Sequence, residues 1–351
     1  METVCAHTID MIALLSQRSK EAPLHVVMPI ISAPLLFEDV QSFETSAVLM
    51  RRAIEILGQQ SHRWHVWDIC VLGGLSDLWR SLQATCDNVT MENGSDLSLF
   101  TLHLPALQAL TIDHCTLGYG VEMPSTTMEN SPNLMLVAPK LQRAHTLIGD
   151  GMQVLCTSLL GPALGDSGAR RRDLALENVA IPKIRQLVVR SHTWGQRRSV
   201  LPLLRFVAPT LRFLELSLTF HGAPFVPTVT DDAESIDSFS DVEEDIRPDR
   251  SIQLPHLHEL HWIIRDLGPH RLRAWAHFLG IGYGSPNLRI VRLEFEEYNL
   301  HQLNAVADVL TGCQLTELHL SGAIWMNEPL VDTIKERTGA IVFLEGISPV
   351  L

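Results

Sequence analysis

Apolar residues recur along this chain with the spacing L-x-x-L-x-L, and a proline stands two residues ahead of most copies. The pattern reads Pro105 then Leu107, Leu110 and Ile112; Pro182 then Ile184, Leu187 and Val189; Pro209 then Leu211, Leu214 and Leu216. It returns as Pro255 then Leu257, Leu260 and Trp262, and as Pro286 then Leu288, Val291 and Leu293. Leu315, Leu318 and Leu320 repeat it without the proline. Trp64, Trp67 and Ile69 form a weaker copy, as do Leu141, Ala144 and Thr146. The last two apolar positions of each copy are two apart, which predicts a short strand with both side chains on one face. The residue between them faces the other way.

The stretches between copies follow a different period. Residues 46–60, 200–207, 271–279 and 300–310 have apolar positions three and four apart beside Arg, His or Asn, which predicts amphipathic helices. Helix and strand in alternation favour an α/β chain with a parallel sheet. A recurring unit also points to stacked coils, each burying its apolar face only against its neighbours. Ile184 precedes Leu211 by 27 residues, Leu288 precedes Leu315 by 27, and Leu257 precedes Leu288 by 31. These steps lie at or just above the length of a leucine-rich repeat, and longer steps elsewhere contain insertions. The predicted fold class is therefore α/β: an irregular leucine-rich-repeat solenoid with a parallel curved sheet and helices on the outer face. The competing reading is a non-repeating α/β domain with several similar strands. Residues 1–60 are expected to form an N-terminal cap of helix and strand, and residues 61–351 the solenoid. Growth in one dimension explains how 351 residues can exceed the usual size of a single core.

This register also nominates a binding surface. The side chains between the ladder positions form a central lane on the concave face: Asp68, Thr111, His145, Val188, Glu215, His261, Arg292 and His319. Arg143, Gln186, Arg190, Phe213, Glu259, Glu294 and Glu317 flank it. A mixed polar lane with a few apolar residues suits protein recognition better than phosphate recognition. The competing reading is a solvated concave face with binding through loops or ends.

Charge modifies this picture in one place. The formal net charge is −13, and residues 231–250 contain nine acidic residues and two arginines. Residues 228–250 are expected to be a disordered acidic insertion between two repeat strands, because so few large apolar residues cannot offset the ordering entropy. Within it, Ser238 and Ser240 each have an acidic residue three positions later, the pattern of an acidophilic kinase site. A solubilising loop with no regulated role is the simpler reading. An acidic chain is a poor nucleic-acid binder, so no nucleic-acid partner is expected.

No apolar run is long enough to span a membrane, and the short apolar run at 11–15 lacks the basic flank of a signal peptide. Six scattered cysteines without C-x-x-C read as reduced thiols in a cytoplasmic or nuclear protein. The glycosylation sequons at Asn88 and Asn93 are then chance matches. Catalytic and metal motifs fare no better. Gly165-Asp166-Ser167-Gly168 lacks the partners a serine protease needs. Gly280-x-Gly282-x-Gly284 follows a predicted helix rather than a strand, so it reads as a helix cap and turn. His256 and His258 are expected on the opposite strand face from His261, so the three do not converge on a metal. The tryptophans read mostly as core or cap residues. No enzyme activity, cofactor or metal is expected.

The chain resembles the fungal F-box and leucine-rich-repeat proteins, especially the large basidiomycete group. The carriers are LLSQRSKEAPLHVVM near the start, SHRWHVWDI at 61–69, and the phrases APTLRFLEL, LPHLHEL and SPNLRIVRL. The resemblance covers nearly the whole chain, and the order of the phrases is more specific than any one of them. It implies a protein-recognition module that selects substrates for a cullin-type ubiquitin ligase. In that family an F-box precedes the LLSQRS helix and contacts a Skp-type adaptor. Here residues 1–10 are too few for that module, so contact with the adaptor is not expected from these residues. The alternative is a leucine-rich-repeat adaptor or scaffold unrelated to ubiquitin.

Overall fold

A computed structural model describes residues 2–31, 52–72, 89–92, 99–115, 133–146, 159, 182–191, 203–218, 252–264, 273, 276–277, 279–281, 285–295, 300–322 and 328–345. The acidic segment 228–250, with Ser238 and Ser240, lies outside the described residues, as does the Gly165–Gly168 motif. The chain divides into two compact units, Met1–Ile184 and Arg185–Leu351.

In the first unit, helix α1 (Glu2–Arg18) leads into β1 (Leu24–Ile31). The parallel sheet continues through β2 (Trp64–Leu72), β5 (Ala109–Cys115) and β7 (Arg143–Thr146), in the order β1-β2-β5-β7. A second, three-stranded sheet contains β3 (Val89–Glu92), β4 (Leu99–His103) and β6 (Asn133–Val137). There β3 pairs antiparallel with β4, and β4 pairs parallel with β6. Among the described residues, the segments ahead of β5 and β7 are strands where helices were expected. Strands β4 and β6 directly precede the turns into β5 and β7, and their Leu102 and Leu136 are buried.

In the second unit, six parallel strands run in chain order: β8 (Gln186–Ser191), β9 (Phe213–Leu218), β10 (Glu259–Ile264), β11 (Ile290–Phe295), β12 (Glu317–Gly322) and β13 (Ile341–Glu345). Helices alternate with them here. Residues 203–207 are helical ahead of β9, α2 (Leu300–Leu310) precedes β12, and α3 (Glu328–Thr338) precedes β13. The predicted helix at 300–310 thus has the bounds its apolar period indicated. Its Val309 and Leu310, with Ala276 and Ile281, line a small apolar gap against Leu260, Trp262, Val291 and Leu293. The helical layer therefore lies on the apolar face of the sheet.

Every complete copy of the repeat becomes a strand, and the ladder residues form the core. Leu187, Val189, Leu214, Leu216, Leu260, Trp262, Val291, Leu293, Leu318 and Leu320 are all buried. Each contributes roughly 1.5–3 kcal/mol relative to an exposed side chain. Trp64 and Trp67 are buried too, with ring centroids 5.0 Å apart, and Trp64 Nε1 donates to the Leu57 carbonyl at 3.0 Å.

The proline has an equally local reason. Leu107 N–H donates to Leu104 O, Leu141 to Ala138, Leu257 to Leu254 and Leu288 to Ser285, at 3.0–3.1 Å. Pro105, Pro139, Pro255 and Pro286 sit second in these i→i+3 turns, where a fixed φ helps and no N–H is needed. Two glycines also answer to backbone geometry. Gly280, at φ 62°, closes a Schellman cap: its N–H donates to His277 O at 2.9 Å, and Ile281 N–H to Ala276 O at 3.0 Å. Gly322, at φ 108°, ends β12 where a Cβ would meet the Phe295 carbonyl oxygen at 1.9 Å.

Candidate partner-binding face

Strand pairing brings the nominated lane residues into rows. In the second unit Val188 pairs with Glu215, Glu215 with His261, His261 with Arg292, and Arg292 with His319. All five occupy one row across β8 to β12. Asp68, Thr111 and His145 form one row in the first unit, across β2, β5 and β7. The flanking residues fall in the neighbouring rows. Gln186, Phe213, Glu259, Ile290 and Glu317 make one, and Arg190, Ser217, Ile263, Glu294 and Ser321 the other.

Within the second unit, ion pairs tie these rows together. Glu215 is only 6% exposed, yet Arg190 Nη2 lies 2.5 Å from its Oε1 and His261 Nδ1 lies 3.1 Å from its Oε2. Burial alone would raise the pKa of Glu215. The hydrogen bonds from His261 and Arg190 and their charges outweigh burial and lower it to about 2. The other ring nitrogen of His261 lies 3.7 Å from Glu294.

A second chain of contacts starts from Arg292. Its Nε donates to Glu259 Oε1 at 2.9 Å, and its Nη1 lies 3.3 Å from His319 Nδ1. A guanidinium only donates, so His319 Nδ1 accepts there. The proton of His319 then sits on Nε2, which donates to Glu317 Oε2 at 3.0 Å. The His319 ring stacks on Phe343, with centroids 4.6 Å apart. In the first unit, His25 Nε2 lies 2.5 Å from Asp68 Oδ2.

Sequence reasoning missed Phe343 and His25. Phe343 extends the row beyond His319 because β13 pairs with β12 in the same register. Its strand escaped notice because Gly339 stands where the first ladder leucine is expected, although Val342 and Leu344 keep the spacing of the last two positions. His25 belongs to β1, whose ladder positions are Val26 and Met28, with Pro23 in the leading place.

The histidine reasoning needs one correction. His256 and His258 lie in the turn before β10 rather than in the strand, and both are exposed. Among the described residues no cluster of His, Cys, Asp or Glu could hold a metal ion, and no helix is long and apolar enough to cross a membrane. Neither a protein-family model nor a curated protein matches the chain.

Proposed function

We propose that this chain is a non-enzymatic protein-recognition module of the leucine-rich-repeat type, with the polar face of β8 to β13 as its recognition surface. The observation that carries this reading is the row Val188, Glu215, His261, Arg292 and His319. Glu215, His261 and Arg292 are held by ion pairs to neighbouring strands, His319 by contacts with Arg292 and Glu317, and Val188 is buried beside them, opposite a face of buried ladder residues. Such a surface is ordered before a partner arrives, which lowers the entropy lost on binding.

Its chemistry indicates the partner. Among the described residues of these rows, Arg190 pairs with Glu215 and Arg292 with Glu259, while Glu294 and Glu317 have only His261 and His319 as partners, so acid is in excess. Glu294 and Glu317 are the more exposed of the four, with side chains 43% and 39% exposed. Phe213 and Ile290 are half-buried beside them and Ile341 is exposed. A protein segment presenting a cation next to an apolar side chain fits this arrangement. The resemblance to F-box and leucine-rich-repeat proteins makes substrate selection for a cullin-type ubiquitin ligase the first role to test. An adaptor role unrelated to ubiquitin is the alternative.

Glu215 positions its neighbours and is too buried to be a contact residue, so the test uses Glu294→Lys with Glu317→Lys. Proteins captured from the source cells by the wild-type chain are compared by mass spectrometry with those captured by this double variant. Loss of specific partners with the melting temperature preserved is the expected outcome. An unchanged partner set would remove this face as the recognition surface. A Skp-type adaptor and a cullin among the captured proteins would favour the ubiquitin role, and specific partners without them the adaptor role.

A further inference from the structure

A second surface in the Arg185–Leu351 unit has a different charge. Each strand is entered through a backbone clasp in which one carbonyl accepts from the next coil. Arg212 N–H donates to Arg185 O at 2.8 Å, His258 N–H to Arg212 O at 2.8 Å, Arg289 N–H to His258 O at 2.9 Å, and Thr316 N–H to Arg289 O at 2.8 Å. Arg185, Arg212, His258 and Arg289 are thereby stacked in one column along the amino-terminal edge of the sheet. Neighbouring members are about 4.8 Å apart, the spacing of paired strands. Arg185, Arg212 and His258 are exposed, and Arg289 is half-buried.

Among the described residues, no carboxylate pairs with the column. The four-residue segments 209–212, 255–258, 286–289 and 313–316 contain no Asp or Glu. Arg289 turns its Nη1 to the carbonyls of Pro286, Leu288 and Gln314, so its acceptors are neutral. Like charges directly across paired strands are destabilising. A protein of net charge −13 has abundant carboxylates, yet none stands in this column or in these turns. Three arginines held in one column with no carboxylate among them are a surface suited to an external anion.

We propose that this column binds an acidic protein segment, an extended run of aspartates or glutamates lying across the coils. Four members at strand spacing span about 14 Å, the reach of roughly four extended residues. The column is one residue wide, and Glu259 and Glu317 open the strands beside it. Those carboxylates repel a broad polyanion such as a nucleic-acid duplex and tolerate a single narrow peptide. This surface is separate from the face assigned to recognition above, and does not depend on that assignment.

The test uses the full chain and a fluorescein-labelled hexa-aspartate peptide, read by fluorescence anisotropy at low ionic strength. The expected result is saturable binding that weakens as salt rises. Arg185→Glu with Arg212→Glu should weaken it by about tenfold or more, while Glu294→Lys with Glu317→Lys leaves it in place. The double reversal exchanges one like-charge pair for another at exposed positions, so its melting temperature should change little; if it falls, Arg212→Ala alone should still weaken binding. Absence of binding by the wild-type chain overturns the proposal, as does undiminished binding by the Arg185→Glu/Arg212→Glu and Arg212→Ala variants. A single-stranded oligothymidylate bound more tightly than the peptide would overturn the choice of partner class.

Discussion

Arg63 and Glu215 are both charged and buried, and they are satisfied in opposite ways. Arg63 is 5% exposed and bonds only neutral oxygens: Nε and Nη2 donate to Ala22 O, Nη1 to Gln60 Oε1 and Ser16 O, and Nη2 to Ser19 Oγ. It fastens the turn after α1 to the entry of β2, and so joins the LLSQRS and SHRW segments on which the family resemblance rests. Ser16 lies near the carboxyl end of α1, where the helix dipole favours a cation. Glu215 instead depends on two cationic partners, and this has a pH consequence. Its pKa is lowered from 4.5 to about 2 in the folded state. A lowered carboxylate pKa stabilises the fold above the ordinary value and loses that contribution as pH falls through the folded value. The contribution, on the order of 3 kcal/mol, should therefore disappear between about pH 4.5 and pH 2. Glu215→Gln should flatten the wild-type loss of stability across that window in denaturant unfolding. Parallel acid curves for the two proteins would show that the Arg190–Glu215–His261 contacts contribute nothing.

At the scale of the element, the strand is decided by two apolar residues and a turn. Leu214 and Leu260 are paired neighbours in β9 and β10 and face the core fully buried. Truncating Leu214 to Ala should destabilise the protein by about 2–5 kcal/mol, the range for cavity-forming core changes. A loss under about 1 kcal/mol in urea unfolding would contradict the register, because a slip by one residue turns Leu214 to the polar face. Strands were legible in the sequence wherever all three ladder positions were apolar. They were hidden where a residue answered to another demand, as Gly339 does at the end of α3, with φ 67° and its N–H donating to Lys335 O at 2.8 Å. Strands β3, β4 and β6 escaped for another reason. They lie between repeat phrases, where the pattern predicted no strand, and tertiary pairing decides whether such a segment becomes helix or strand.

At the scale of the whole chain, the acidic insertion is the main departure from the repeat. The strands on either side pair over six positions, Phe213–Leu218 with Glu259–Ile264. That pairing does not draw on residues 229–248. Deleting them should leave the melting temperature nearly unchanged, since closure entropy varies slowly with loop length. A fall of many degrees in a thermal melt would mean that the segment packs against the coils. The division at Ile184/Arg185 had no counterpart in the sequence reading, which treated residues 61–351 as one solenoid.

The amino-acid sequence by itself determined the parallel strands, their register and the face each side chain takes, because period-two burial and the proline turn are local properties. It therefore placed Glu215, His261, Arg292 and His319 in one row before any coordinates. It could not show that Glu215 is buried and fastened by Arg190, that Phe343 covers His319, or that Arg185, Arg212, His258 and Arg289 form an uncompensated column. Those facts depend on which side chains meet between strands, from residues 24 to 46 apart in the chain. Only the pairing of strands in the parallel sheet brings such residues together, and only packing settles how much water each retains.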